Sequence, residues 1–154
     1  MNLFLAAGAG FLIAVLWMDL MFDVLALRRG GEELPEEALA QIACYYRRVT
    51  TTASPMNNLI GLVMTGMVGT LVLQIVRRGA PESGPLWLAV ASLGLCGVPI
   101  ALALLRIFPD AVRLGSRKDS PAEQSRLARG ICLAHLACLA AMVAFLVLRF
   151  SAPA

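Results

Sequence analysis

Polar residues gather in short segments of this chain and leave four long apolar stretches, at 3–27, 58–76, 86–105 and 130–148. A helix needs about 20 apolar residues to cross a bilayer core, and each stretch meets or approaches that length. The stretches are rich in Leu, Ala and Gly and lack the two-residue alternation of a strand or a membrane barrel. Helices also satisfy every backbone group internally, as lipid requires. The pattern therefore predicts an all-α fold, a bundle of four transmembrane helices.

The segment between the first two spans has its own period. Leu39, Ile42, Tyr46 and Val49 recur at helical spacing and make one apolar stripe. Pro35 suits the first position of a helix, and Glu36 and Glu37 follow where the helix dipole favours acid. A short amphipathic helix over 35–49 is expected, lying at the membrane surface or under the bundle. Arg28-Arg29-Gly30-Gly31 should stop the first span. Ser54-Pro55, Ser83-Gly84-Pro85 and Ser120-Pro121 read as starts of the next three helices, with Glu123 completing a capping box. The fourth helix should thus begin near Pro121 and stand clear of the membrane by two or more turns. Pro99, with Gly97 nearby, should kink the third span.

Composition strengthens the membrane reading. Of 154 residues 59% are hydrophobic and 15% charged, against about 45–50% and 25% in soluble domains. The whole chain, 1–154, is expected to be one integral membrane domain. The first stretch is longer than the apolar core of a signal peptide, usually about 7–15 residues, and no Lys or Arg precedes it, so Met1 onward is expected in the mature protein. Cys44, Cys96, Cys132 and Cys138 form no CxxC pair and are expected to be small core residues.

Charge sets an orientation. Ten of the 13 Lys and Arg residues lie between spans one and two or between spans three and four, and Arg77, Arg78 and Arg149 lie on the other side. Cytoplasmic loops carry the Lys/Arg excess. Both long loops are therefore expected in the cytoplasm and both termini outside, in a bacterial inner membrane by the Ala/Leu/Arg-rich usage. The net charge of +3 reflects topology. No basic run interleaves with aromatics, so nucleic acid is not an expected partner.

Small residues recur every four positions at Ala6, Gly10 and Ala14, at Gly61, Thr65 and Gly69, and at Ala134 with Cys138 and Ala137 with Ala141. Such stripes let helices approach closely in lipid. Packing within the bundle is the expected use, with a homo-oligomer or a larger membrane complex as the alternative.

Two carboxylates carry the candidate chemistry. Asp19 and Asp23 lie in the first span, four residues apart and so on one face. A charge at mid-membrane costs about 2.5–3.5 kcal/mol even on insertion scales, so both should face protein, water or a ligand. His135 is six residues past Arg129 and Asp23 five before Arg28, which puts both roughly 8–9 Å inside the same boundary. Asn57 and Asn58 stand at the mouth of span two, and Arg106 at that of span three, with Asp110 a turn beyond. Tyr45, Tyr46, Arg47 and Arg48 end the amphipathic helix close by. Asp19, Asp23, His135, Asn58, Arg47 and Arg106 are the candidates for ligand binding or proton transfer. A purely structural use is the competing reading: the aspartates would pair with Arg47, Arg48 or Arg106, and His135 would donate to Asp23. One histidine and no Glu-x-x-His pair give poor grounds for a metal centre, and no metal ligands are assigned. No catalytic signature and no cofactor motif stands out, and Arg106–Asp110 with Arg113, Arg117 and Lys118 reads as a basic flank or an anion-recognising segment.

The layout of four spans, a long first loop, the proline-containing segment Arg106–Asp110 and a histidine at 135 in the last span resembles small anthrone-oxygenase-like membrane proteins. The resemblance is architectural and implies oxidation or binding of a hydrophobic aromatic molecule. Taken together, the residues point to a membrane protein that binds a lipid or small hydrophobic molecule in a polar cytoplasmic-side cavity. An accessory or assembly subunit, or a proton-coupled small transporter, are the alternatives.

Overall fold

The computed structural model describes residues 3–28, 33–77 and 85–151. The expected stop at Arg29-Gly30-Gly31, the outer basic residue Arg78 and the Ser83-Gly84 start lie outside the described residues. Among those described there is helix and no strand: α1 (Leu3–Asp23), α2 (Leu25–Arg28), α3 (Glu36–Thr51), α4 (Met56–Val76), α5 (Leu86–Leu102), a π-helical turn (Ala103–Ile107), α6 (Phe108–Ser116) and α7 (Pro121–Ser151). Four helical stretches are long and apolar enough to cross a membrane, Leu3–Leu27, Met56–Val76, Leu86–Ser116 and Pro121–Ser151. They form a ring in which α1 touches α7 and α4, and α5 touches α4 and α7.

Two groups of buried side chains hold the ring together. Toward one end, Leu5, Ala9 and Leu12 of α1 meet Met67 and Leu71 of α4, Cys96 of α5, and Met142 and Phe145 of α7. Early residues of α1 meeting late residues of α4 and α7 is the signature of an up-down-up-down order. Toward the other end, Leu39, Ile42 and Tyr46 of α3 join Ile107, Ala111 and Leu114 with Leu127, Ala128 and Ile131. The stripe foreseen on α3 is the buried one, and the helix lies under the bundle against α6 and α7.

The helix starts follow the sequence in part. Ser120 Oγ accepts the Glu123 N–H at 3.3 Å, one arm of the expected capping box. The Glu123 carboxylate instead bonds Arg113 and Arg126. Pro35 precedes the first residue of α3, and α4 starts at Met56 without a side-chain cap, so Ser54 does not cap it. The third span departs most from expectation. It stays helical to Ser116, with Pro99 inside α5 and a π turn at Ala103–Ile107. Pro109 accounts for this place: its ring crowds the carbonyl four residues back, Leu105, and a widened turn there makes room.

Of the small-residue stripes, Ala134 with Cys138 packs inside the bundle as expected, and those of α1 and α4 are reassigned. Gly10, Ala14, Gly61, Thr65 and Gly69 are exposed on the outside of the bundle, and a Cβ on any of these glycines would meet nothing within 4 Å. The close approaches are made by Gly8, against Met67, and Gly66, against Phe4. Cys44 is exposed, unlike the other three cysteines, which are buried as expected.

Helices α3 and α6 cross with a glycine against backbone. A Cβ on Gly115 would stand 2.8 Å from the backbone nitrogen of Arg47, an atom that cannot rotate away. Gly115→Ala should cost about 1–3 kcal/mol by overpacking, read as a lower unfolding temperature in detergent, while Gly10→Ala should leave it unchanged. A second tie is electrostatic. Arg117, at the left-handed end of α6, pairs with Glu36 at the start of α3. Hydrogen bonding to Arg117 holds the Glu36 carboxyl below its ordinary value of 4.5. A lowered carboxyl adds stability above that value and loses it as pH falls through the folded one. Protection factors at the start of α3, after correction for the intrinsic pH dependence of amide exchange, should therefore fall on acidification, and Arg117→Gln should remove that fall.

Candidate functional site

Three helices meet at one buried polar cluster. α1 brings Asp19 and Asp23 on one face, α7 brings His135, and α3 brings Tyr45 and Tyr46 at its C-terminal end. Asp23 is 0% exposed. Its Oδ1 accepts the Tyr46 hydroxyl at 2.5 Å, and its Oδ2 lies 2.6 Å from His135 Nδ1. With Asp23 ionised, Nδ1 carries the proton and donates it. Asp19 Oδ1 accepts the Tyr45 hydroxyl at 2.5 Å, and Oδ2 faces His135 Nε2 at 3.8 Å. The imidazole thus lies between two carboxylates and is bonded directly to one.

Environment separates the two carboxylates. The Asp19 side chain keeps 16% exposure where Asp23 keeps none, so Asp19 is the accessible end. Beside it Tyr45 stacks on Phe22, ring centroids 4.1 Å apart and 13° from parallel, and Phe22 is exposed on the bundle surface. Tyr46 meets Tyr45 edge-on at 5.3 Å. Burial, then the neighbouring aspartate charges, push both phenols well above their ordinary value. They stay neutral and act as fixed donors to the carboxylates.

The structure gathers Asp19, Asp23 and His135 and leaves the other candidates outside. Arg47 is exposed on α3, one residue beyond Tyr46 and turned from the cluster. Asn58 is exposed in the first turn of α4; its neighbour Asn57 is the residue that bonds, to the Val49 carbonyl at 2.8 Å. Arg106 is exposed, 4.0 Å from Asp110, and lines an open cavity of about 810 Å³ between α6 and α7 that none of the five cluster side chains reaches. The aspartates therefore take hydroxyl and imidazole partners where arginines had been the alternative. Asp23 and His135 are in direct contact, which leaves no room for a ligand between them. Among the described residues no group of three His, Cys, Asp or Glu side chains is arranged to hold a metal ion.

Tyr45 and Tyr46, expected close by at the end of the amphipathic helix, are members that were not among the candidates. Tyr46 fits the apolar stripe of α3, and that fit hid its hydroxyl. The available signal was a pair of tyrosines at the depth of a pair of aspartates.

No family model, curated protein or solved structure matches the chain. Its chemistry has to be argued from this cluster and its surroundings.

A buried carboxylate deprived of one partner is costly, about 3–5 kcal/mol. His135→Ala should therefore destabilise the protein by that order in a denaturant titration in micelles. Asp19→Asn, at the more accessible end, should cost about 1 kcal/mol. Equal losses would contradict the division between the two ends.

Proposed function

We propose that the chain binds a small hydrophobic molecule, a lipid or an aromatic compound, whose hydroxyl or acidic end is received at the Asp19–His135 side of the cluster. The observation that carries this reading is the 3.8 Å separation of His135 Nε2 from Asp19 Oδ2. The other contacts of the two carboxylates, with Tyr45, Tyr46 and His135 Nδ1, are direct hydrogen bonds, so this is the place where a guest polar atom could exchange a proton. Asp23 holds the imidazole in place through Nδ1, which orients Nε2 toward the accessible carboxylate. The Phe22–Tyr45 stack supplies an aromatic surface at the same edge, and Met18 and Met21 nearby are exposed on α1. An aromatic guest would accord with the layout's likeness to anthrone-oxygenase-like proteins. The basic residues of the two long loops support a cytoplasmic position for the cluster in a bacterial inner membrane.

A second reading, a subunit of a larger membrane assembly or a homo-oligomer, has its own support. Gly10, Ala14, Gly61, Thr65 and Gly69 turn small surfaces outward into the bilayer, where another helix could approach closely. A stoichiometric partner co-isolated in mild detergent would favour that reading.

The binding reading is tested with 2-naphthol as a fluorescent hydrophobic phenol added to protein in phosphatidylcholine vesicles. Saturable binding above that of protein-free vesicles is expected, weakened about tenfold in Asp19→Asn and in Tyr45→Phe, the loss of one charge-assisted hydrogen bond. Binding unchanged in both variants, with their folds intact, would remove the cluster from ligand recognition.

A further inference from the structure

A different part of the same end of the bundle points to a second ligand. The cavity of about 810 Å³ is walled by the π turn and α6 on one side and the first turns of α7 on the other. Four guanidinium groups, from Arg106, Arg113, Arg126 and Arg129, line it, against the two carboxylates of Asp110 and Glu123. Carboxylates hold Arg113 and Arg126 in place, and Arg129 Nε bonds the Ala26 carbonyl at 3.4 Å. Glu123 takes Arg126 through both oxygens, Nε to Oε2 at 3.0 Å and Nη2 to Oε1 at 2.6 Å. Arg113 Nη2 reaches Glu123 at 3.3 Å and Asp119, just beyond the lining, at 3.1 Å.

Donor arithmetic shows what these pairs leave over. Each guanidinium has five N–H groups, and the bonds to carboxylates engage Arg126 through Nε and Nη2 and Arg113 through Nη2. Arg106 Nε stands 4.0 Å from Asp110 Oδ2, beyond hydrogen-bond distance. The side chains of Arg106 and Arg126 are 66% and 74% exposed. Donors in a planar fork on exposed guanidiniums are what a phosphate group requires.

The apolar surroundings decide the source of that phosphate. Leu133, part of the lining, is exposed on α7, and Leu104 and Leu105 are exposed on the π turn immediately before Arg106. The guanidiniums therefore begin where the surface facing acyl chains stops. We propose that this cavity holds the phosphate headgroup of an anionic bilayer lipid, its acyl chains lying against Leu105 and Leu133. A soluble phosphate compound would use the guanidiniums and none of this apolar surface.

The test uses the full chain, delipidated in neutral detergent, with lipid retention followed by native mass spectrometry. The probes are phosphatidylglycerol, phosphatidylcholine and inorganic phosphate. One phosphatidylglycerol should bind about tenfold more tightly than phosphatidylcholine, in line with a charge-assisted hydrogen bond or two, and inorganic phosphate should not displace it. Arg106→Gln combined with Arg126→Gln should remove the preference, while Arg106→Lys combined with Arg126→Lys should keep part of it. Arg48→Gln, an exposed arginine outside the cavity lining, should change the preference less than twofold. Circular dichroism of each variant shows that the helices persist; should the glutamine pair fail to fold, Arg106→Gln alone takes its place, with a partial loss of preference expected. Equal loss in Arg48→Gln would reduce the effect to general surface charge and overturn the proposal. Displacement by inorganic phosphate at equal concentration would overturn it in favour of a soluble phosphate ligand. Failure here leaves the naphthol result untouched, because the two sites share no residue.

Discussion

A carboxylate without exposure, on a helix that crosses lipid, sets the terms for the rest of this molecule. Asp23 has no access to solvent, and a buried charge persists only when it is paired and hydrogen-bonded. Its two oxygens take one bond from α3 and one from α7. The loop helix is thereby drawn beneath the bundle, and its docking is backed by the Leu34 N–H bond to Ser125 Oγ at 2.9 Å and by the Gly115 crossing. The polar cluster thus has a structural task, and burial is incomplete only at its Asp19 side.

Packing in lipid explains the division of labour among the small residues. Acyl chains are as apolar as leucine, so helices associate through close contact and internal polar bonds. Gly8 and Gly66 provide that contact within the bundle by admitting Met67 and Phe4. The outward glycines of α1 and α4 add nothing to the monomer's own packing.

Polar residues are concentrated at one end for a related reason. At this end α1 breaks at Val24, the third span widens into a π turn, and α7 begins. With 31 residues, α7 is about 46 Å long, well beyond the roughly 30 Å hydrocarbon core. Its first turns have to be polar outside the core, and they supply one wall of the arginine-lined cavity. The closed cluster and the open cavity differ in kind: in one every donor meets an internal acceptor, in the other donors outnumber acceptors.

Local chemistry made much of this legible. Length and hydropathy determine the four spans, Ser120-Pro121 determines the start of α7, and the spacing of Leu39, Ile42 and Tyr46 determines the buried face of α3. Depth was legible too, because a helix rises a constant 1.5 Å per residue; counting from the boundary residues put Asp23 and His135 at one level. Rotation was not. Arg47, Arg106 and Asn58 stand near the right level and face away, while Tyr45 and Tyr46 turn their hydroxyls in. The azimuth of each helix is decided by contacts with residues distant in the chain, Gly115 against Arg47 among them. Spacing along a single helix therefore specifies which residues share a face, and only the assembled bundle decides what that face meets.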